Sequence, residues 1–350
     1  MISGKKQMII PLAALLALAV FNLIVNPGFF SISFGHNAAG NPVLSGDLID
    51  IINDGSELAI LAIGMTIVTA ATGGQDISVG ATLAVAGSAM MKVLCGATSH
   101  PEEMQAPVIL AFLVGCLVAV LLGAFNGMLV AKFKIQPMVA TLILFTAGRS
   151  IAAWINNNEL PIIKEESFKV YGNFIPGIPI PTPFFLAMLC VIIMALVLKF
   201  TNLRLYTQAV GINEESSKLN GINPTFIKFL SFIILGICVA VAALIKVSRY
   251  ATINYSVIAK DIEMDAILAV ALGGNSLSGG KFNMWASVLG AYVIQFLTVT
   301  LYKCQVKSDA LPAYKAVVVI LLVVISSPRV REIFSNMGKK FTPAVKAEVK

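Results

Sequence analysis

A glycine-rich stretch ending in lysine, "LGGNSLSGGK" at positions 272–281, has the residue types of a phosphate-binding loop. A P-loop requires the pattern G-x-x-x-x-G-K-[ST], because backbone N–H groups hold the phosphates and the final hydroxyl holds Mg²⁺. Here Asn275 stands where the pattern needs its first glycine, and Phe282 stands where it needs Ser or Thr. Apolar runs also flank the stretch on both sides. We therefore expect this chain to bind no ATP and no other cofactor of its own.

Asp76 is the acidic residue with the most unusual surroundings. It lies in "GGQDISVG" at 73–80, between two apolar runs. A carboxylate at the centre of a membrane helix costs roughly 2.5–3.5 kcal/mol on insertion scales, so such a residue is usually functional. Alternatively, Asp76 or Ser78 caps the following helix by accepting its free N–H groups. The sequence is compatible with both the cap and a place beside a substrate pathway.

Arg149 is the one basic residue well inside an apolar run, in "LFTAGRSIAAW". It could pair with Asp76, or its long side chain could extend to the outer membrane interface. "GAFNG" at 123–127 has small residues four positions apart, a spacing that lets two helices approach closely. Close packing is therefore expected there, and Asn126 within this stretch is a further candidate pathway residue.

A polar stretch, "GINEESSKLNGINP" at 211–224, has the pattern of a short helix. Asn213 is a good N-cap, and Glu214 and Glu215 would occupy the first turn, where the helix dipole favours anions. Gly221 is suited to end the helix in the left-handed conformation. About eight helical residues are too few to be stable alone in water. This helix must therefore pack either on the underside of its own chain or against a partner.

The composition places these residues in a membrane protein. The 350 residues are 57% hydrophobic and 12% charged, with a mean hydropathy of +0.87. Soluble domains contain about 25% charged residues. The five cysteines form no C-x-x-C pair and only two histidines are present, so neither a metal site nor a disulfide framework is expected. An enzyme is also disfavoured, because the sequence has no catalytic motif or cluster of carboxylates.

The apolar runs predict an all-α polytopic membrane protein with about ten transmembrane passes. Lys and Arg are enriched in cytoplasmic loops, and their distribution favours a threading with both termini cytoplasmic and a cytoplasmic basic tail at 329–350. We expect residues 1–350 to form a single transmembrane domain. The runs lie at about 8–25, 58–72, 77–95, 107–131, 137–155, 183–200, 225–247, 264–273, 283–303 and 312–327.

Two of these runs are too short to cross a bilayer as single helices, so interrupted helices are expected. The second run, 58–72, ends at the Asp76 loop, and the amphipathic segment 47–58 before it could lie along the membrane interface. The core of the eighth run, 264–272, would be about 14 Å long as a helix, against a bilayer core of about 30 Å. Irregular backbone at membrane depth is tolerated where it lines a watery cavity or is buried in protein.

In secondary transporters, paired interrupted segments point to the binding site. By that analogy, the loops after the two short runs are expected to line polar space, reachable by water in the assembled transporter. The candidate pathway residues are Gln75, Asp76, Ser78, Asn126, Arg149, Asn275 and Ser276.

Four ordered blocks of sequence resemble the ribose-type sugar ABC importer permeases. They are "TGGQDISVG", "NGMLVAKFKIQPMVATLILFTAGRS", "AVGINEESSKLNGIN" and "EMDAILAVALGGNSLSGGKFNMWASVLGAYVIQ". The resemblance covers about residues 45–330. Within the family, the second block and "GGKFN" look most like the galactofuranose importer permeases of Gram-negative bacteria. Gln75 departs from the family, which usually has Ile there, and the more polar loop leaves the substrate open.

The resemblance implies a permease subunit of the bacterial inner membrane that carries a monosaccharide and is not itself an enzyme. It implies a second permease chain, a cytoplasmic ABC ATPase that binds ATP and Mg²⁺, and a periplasmic or lipid-anchored sugar-binding protein. Membrane lipid would surround the chain, and no nucleic acid is implied. The stretch at 211–224 would be the coupling helix that docks on the ATPase. The coupling residues are then Gly211, Asn213, Glu214, Glu215, Lys218, Asn220 and Gly221.

Other transport functions stay open at this point. The same kind of machine could carry branched-chain amino acids, nucleosides or a furanone-like signal. A secondary transporter working alone would need intramembrane carboxylates to bind Na⁺ or H⁺. Asp76 is nearly the only candidate for that role, so the sequence favours the ABC importer.

Overall fold

The computed structural model describes residues 8–36 and 42–326, with the backbone alone for residues 36 and 321–326. Within them, helices alternate with short connections, and two strands, β1 (Ser33–His36) and β2 (Pro42–Ser45), pair antiparallel. The helices are α1 (Ile9–Val25), α2 (Asp47–Thr72), α3 (Val79–Cys95), α4 (Val108–Ala131), α5 (Pro137–Ile155), α6 (Glu166–Lys169), α7 (Thr182–Phe200), α8 (Leu203–Ile212), α9 (Glu214–Leu219), α10 (Pro224–Tyr250), α11 (Ile262–Leu272), α12 (Met284–Lys303) and α13 (Leu311–Ser326). The predicted basic tail at 329–350 lies outside the described residues.

Each apolar run of the sequence forms a helix. Six helices, namely α2, α4, α5, α7, α10 and α12, are long and apolar enough to cross a membrane. The helices α1 and α3 have 17 residues each, α13 has 16 and α11 has 11. The predicted helical class is confirmed, with the β1–β2 hairpin as an addition that the sequence did not indicate.

The outer helices expose their apolar side chains. Within the most apolar stretches of α4, α5 and α7, only 22%, 33% and 17% of the residues are buried. On α7, for example, Leu189, Ile193 and Leu196 are each about half exposed. Soluble monomers rarely expose contiguous apolar surfaces of this kind. These faces therefore have the character of a lipid-facing surface.

The centre of the molecule is α2, which is one continuous helix of 26 residues, about 39 Å long. The expected interfacial segment at 47–58 and the short span at 58–72 are therefore both wrong. Near the start of α2, Glu57 is buried and Asp54 is half-buried, and α10 supplies the counter-charges of both. Lys246 Nζ lies 2.8 Å from Glu57 Oε2, and Arg249 pairs with Asp54. The other short run is confirmed, since α11 has 11 residues.

The helices α4 and α10 pack closely through the "GAFNG" stretch. A Cβ atom added at Gly123 of α4 would lie 2.6 Å from the carbonyl oxygen of Phe232 of α10. Gly127 of α4 faces Phe229, also on α10. Only glycine permits this approach of two backbones. The prediction of close packing at 123–127 is therefore confirmed, and it buries Asn126 in the interior.

Candidate functional site

Two loops meet at the end of the molecule that carries α9. The first glycine loop, residues 73–78, follows α2, and the second glycine loop, residues 273–283, follows α11. Gln75 Nε2 donates to the carbonyl oxygen of Leu277 over 2.8 Å. The N–H group of Gly280 donates to the carbonyl oxygen of Ala70 over 3.0 Å. The structure thus brings the two predicted loop regions into direct contact.

In the first glycine loop, three of the predicted residues form one buried cluster. Asp76 Oδ1 accepts from the backbone N–H and the hydroxyl of Ser78, at 2.7 and 2.6 Å. Asn126 Nδ2 donates to Asp76 Oδ2 at 3.2 Å and to Ser78 Oγ at 2.9 Å. The carboxylate therefore holds the turn before α3, but neither Asp76 nor Ser78 accepts a free N–H group of that helix, so the cap interpretation is wrong. A burial cost for the charge is offset by these donors.

The helix α3 begins well inside the helix layer, as its contacts along α5 indicate. Gly74 packs on Pro137, the first residue of α5, whereas Ala81 in the first turn of α3 packs on Gly148. The eleven residues between those two points of α5 correspond to about 16 Å. The N–H of Ile77 donates to Thr141 Oγ1 at 3.2 Å, so the non-helical loop covers about the first 6 Å of this distance and the start of α3 covers the rest.

Arg149 does not pair with Asp76, so that expectation is wrong. Its Nη1 atom donates to the carbonyl oxygens of Tyr255 and Ile258, at 2.8 and 3.0 Å. The physical reason is distance along α5, since Arg149 lies about 18 Å beyond the helix start that Gly74 contacts. Arg149 instead fixes the loop at 251–261, away from the other candidate pathway residues.

Asn275 closes the second glycine loop onto the helix that follows. Its Oδ1 accepts from the N–H of Asn283 at 2.7 Å, and its Nδ2 donates to Ser287 Oγ at 2.7 Å. Ser276 is half-buried, and its carbonyl oxygen accepts from the N–H of Gly279 at 3.1 Å. Gln75, Asp76 and Asn275 are each less than 8% exposed. Their expected access to water remains a prediction for the assembled transporter.

The predicted short helix exists as α9, with six residues instead of about eight. Asn213 is its N-cap, because Oδ1 accepts from the N–H of Ser216 at 2.9 Å. Glu214 pairs with Lys134 and, over 2.6 Å, with Lys228. Burial raises the pKa of the Glu214 carboxyl, but the hydrogen bonds and charges of the two lysines outweigh it, so the pKa is lowered. Glu214 thus anchors α9 to two other parts of the chain.

The end of α9 has the predicted glycine stop. Gly221 has a φ of +79° and its N–H donates to the carbonyl oxygen of Lys218 at 3.0 Å. Asn220 Nδ2 donates to the carbonyl oxygen of Ser216 at 2.8 Å. A residue with a Cβ is strained in this conformation, so glycine sets the direction in which the chain leaves α9.

The opposite side of α9 has no cover within the described chain. Leu219 is 90% exposed and Ile212, just before α9, is 75% exposed. Glu215 is also exposed, and Ser217 is the buried residue of the helix. Large aliphatic side chains at such exposure, next to charged groups, are typical of an interaction surface.

A glycine junction connects α8 to both loops, and we define it as Gly73, Gly211, Gly279 and Gly280. Gly211 lies near the end of α8, where an added Cβ would overlap the carbonyl oxygen of Ala70 and lie 2.7 Å from the nitrogen of Gly280. A Cβ at Gly279 would lie 3.0 Å from Gly73 Cα and 3.1 Å from the Gly211 carbonyl oxygen. The residue before α9 is therefore two positions from a direct backbone contact with the end of α2 and with the second glycine loop, which in turn contacts the first glycine loop at Gly73.

Sequence reasoning missed a charged cluster at the opposite end of the molecule. Glu57 is 1% exposed, and its carboxylate lies 2.8 Å from Lys246 Nζ and 2.7 Å from Arg249 Nη1. Arg249 also pairs with Asp54. The spacing of these residues was a usable signal, because Asp54 and Glu57 share one face of α2 and Lys246 and Arg249 share one face of α10. Among the side chains that the structure describes, no group of three His, Cys, Asp or Glu residues could hold a metal ion.

Comparison with known proteins gives concordant matches. The protein family described as "Branched-chain amino acid transport system / permease component" matches residues 48–327. The fructose import permease protein of Bifidobacterium longum is 35% identical over 97% of this chain and 92% of its own. The galactofuranose transporter permease protein of Escherichia coli is 35% identical, over 91% and 89%. The ribose import permease protein of Escherichia coli is 30% identical, over 91% and 93%. No solved structure matches the chain.

Proposed function

Since the chain belongs to the family of branched-chain amino acid transport system permease components, we propose that it is the membrane-spanning permease of an ABC importer for a monosaccharide. The observation that carries this proposal is that relatives named for fructose, galactofuranose and ribose each align with about nine-tenths of the chain or more. A substrate of that chemical class is therefore favoured over the branched-chain amino acids of the family description. The chain is a multi-pass protein of the inner membrane.

The chain crosses the membrane about ten times, with both termini in the cytoplasm. Two observations support this threading. Each of the predicted apolar runs is a helix, and the α9 end carries exposed or partly exposed Lys132, Lys134, Lys199, Arg204 and Lys218. Basic residues are enriched on the cytoplasmic side. Reporter fusions placed after α5 and after α7 test the orientation, because they must report opposite sides of the membrane.

The helix α9 is the element that couples the permease to its ATPase. It is anchored through Glu214 to Lys134 and Lys228, while Leu219 and Ile212 face outward. A partner that buries both aliphatic side chains removes their apolar surface from water, and this stabilises the complex. ATP and Mg²⁺ bind the partner ATPase, a periplasmic or lipid-anchored protein delivers the sugar, and a second permease completes the membrane unit.

Reconstitution of the assembled transporter tests the proposal. The permease is combined with the ATPase and the sugar-binding protein encoded beside it, and uptake of ribose, fructose, galactofuranose and leucine is measured. We expect ATP-dependent uptake of a monosaccharide. Uptake of leucine alone would favour the branched-chain amino acid alternative, and uptake without the ATPase would favour a secondary transporter. Either result would refute the proposal.

Two variants test the coupling role of α9. We expect Gly221→Pro and Glu215→Lys to leave membrane insertion and dimerisation intact but to abolish transport and the stimulation of the ATPase. Proline cannot adopt the φ of +79° at Gly221, and Glu215 is exposed, so its change acts on a partner. The matched control is Gly177→Pro, because Gly177 has a φ of +84° and open surroundings in the loop before α7. Wild-type import by both α9 variants would exclude this helix as the coupling element.

A further inference from the structure

A polar cavity of about 590 Å³ lies at the end of the molecule opposite α9. It is open on one side and is lined by α2, α10, α11, α12, α13 and the loop at 251–261, and we name it the outer cavity. Pockets of roughly 300–1,000 Å³ with a few convergent polar groups are typical of small-molecule sites. The polar residues of its lining are Asp54, Glu57, Lys246, Tyr250, Thr252, Asn254, Lys260, Asp265, Gln295, Thr298, Tyr302 and Lys315.

Among the described side chains, every charge that lines the outer cavity has an ion-pair partner except that of the exposed Lys260. Glu57 lies between Lys246 and Arg249, and Asp265 Oδ2 lies 2.7 Å from Lys315 Nζ. Asp54 is in turn held by Arg249. An ionic ligand would have to compete with these partners, and breaking a buried pair is strongly unfavourable. The balance of charge therefore favours a neutral ligand.

The remaining polar groups suit a ligand with many hydroxyl groups. Gln295 is half-buried and donates through Nε2 to Asp54 Oδ2 at 3.4 Å. This contact holds its amide in place and leaves the amide able to form further hydrogen bonds. Amides and hydroxyls both donate and accept hydrogen bonds, as do Asn254 and Thr298 of the lining. Tyr302 is about half exposed there, and its ring can cover the apolar face of a small ligand.

A cavity of about 690 Å³ lies beside α9 at the opposite end of the molecule, lined by residues such as Lys134, Glu215 and Lys218, but the candidate pathway residues of the two glycine loops do not line it. In the first glycine loop the carboxylate of Asp76 is engaged by Ser78 and Asn126. In the second glycine loop the amide of Asn275 is engaged by Asn283 and Ser287. The polar side chains of the two glycine loops are thus engaged with their own chain, which leaves the outer cavity as the better site for a ligand.

We propose that the outer cavity is a binding site for the transported monosaccharide within a single permease chain. This inference rests on the proposed function as a sugar permease. In this site the charge pairs form the walls and hold their shape. The amides and hydroxyls of α12 and the 251–261 loop contact the sugar directly. Gln295 is the central contact, because it is fixed by Asp54 and faces the cavity.

The test uses the complete transporter in nanodiscs. Gln295→Cys is introduced together with Cys304→Ser, which removes the exposed native thiol, and the rate of alkylation by iodoacetamide is measured. The control is Ser167→Cys in the same background, because Ser167 is exposed in α6 outside the cavity. A sugar present at about ten times its Kd should slow alkylation at position 295 by about tenfold. It should leave position 167 unchanged, and mannitol or leucine should protect neither position.

A second variant makes the outcome decisive. Gln295→Leu keeps the size of the side chain and removes its hydrogen bonds, so import should fall about tenfold or more, as for a lost polar contact to substrate. Gln105→Leu, at an exposed glutamine between α3 and α4, should import normally. If wild-type transporter imports a sugar that neither protects position 295 nor depends on Gln295, the cavity inference is wrong and the proposed function stands. If the wild-type transporter imports no sugar, both fall.

Discussion

Gly211→Ala is the substitution that most directly tests the connection between α9 and the two loops. Gly211 has ordinary helical geometry, so alanine is allowed there and its helix propensity favours it by about 1 kcal/mol. Any loss must therefore come from the contact. The new Cβ overlaps the carbonyl oxygen of Ala70 and lies 2.7 Å from the nitrogen of Gly280. Both atoms belong to backbone, which cannot move aside as a flexible side chain would.

The structure sets the size of the effect. Overpacking of this kind costs about 1–3 kcal/mol, and loss of the hydrogen bond between Gly280 and Ala70 costs about 1 kcal/mol more. After the gain in helix propensity, the net destabilisation is about 1–3 kcal/mol. That is less than the total stability of roughly 5–15 kcal/mol of an ordinary domain. The variant should therefore fold, with α8 displaced from the second glycine loop.

The assay compares thermal stability with coupled transport in the reconstituted importer. We expect Gly211→Ala to lower the melting temperature modestly, to reduce sugar import strongly and to leave basal ATPase activity in place. Gly28→Ala is the matched control, because an added Cβ there meets nothing within 4 Å. Wild-type import together with an unchanged melting temperature would refute the reasoning, since it would mean that the junction is loose.

Three further predictions follow from the site geometry. Nucleotide titration of the isolated permease should show no saturable binding, because its glycine loop lacks the P-loop pattern; a micromolar affinity would contradict this. The pKa of Glu214 is lowered in the folded chain, so its anchoring of α9 is complete above the ordinary carboxyl pKa of 4.5 and is lost as the pH falls through the lowered pKa. A spin label on Ser216→Cys should therefore stay immobile from neutral pH down to 4.5 and become mobile only once the pH passes the lowered pKa, whereas in Glu214→Gln it should be mobile throughout. Asp76→Ala should destabilise the protein by about 1–3 kcal/mol, measured by thermal melting, because the buried donors of Ser78 and Asn126 lose their acceptor; an unchanged melting temperature would contradict this.

The helices were predictable because a lipid-facing protein keeps its apolar signal along the whole span. The run at 77–95 became α3 at Val79–Cys95, and the run at 137–155 became α5 at Pro137–Ile155. The caps of α9 were also predictable, since Asn213 and Gly221 act through neighbouring backbone groups. Helix caps of this kind depend only on residues a few positions apart, so a short stretch of sequence is enough to predict them.

The sequence-based predictions were wrong where a residue far along the chain changes the surroundings of a local sequence pattern. Asp54 and Glu57 made the start of α2 look interfacial, but Glu57 is buried and Asp54 half-buried, and Lys246 and Arg249, far along the chain, neutralise them. The pairing of Arg149 with Asp76 failed for the same reason, because the depth at which each lies depends on how α3 and α5 are staggered. Nothing local to Gly211 indicates that its neighbour is the end of α2. Long-range packing decided all three.

The helix α11 links the two ends of the molecule that the proposals concern. It begins at the outer cavity, which Ile262 and Asp265 line, and after about 16 Å it leads into the second glycine loop, which contacts Gly211. A helix of 11 residues packed along α12 moves as a unit, so a displacement at the glycine junction is felt at the cavity. Alkylation of Gln295→Cys should therefore change in rate when Gly211→Ala is added. If import is lost while that rate and its protection by sugar stay the same, the junction acts on the first glycine loop and α11 is not the connection.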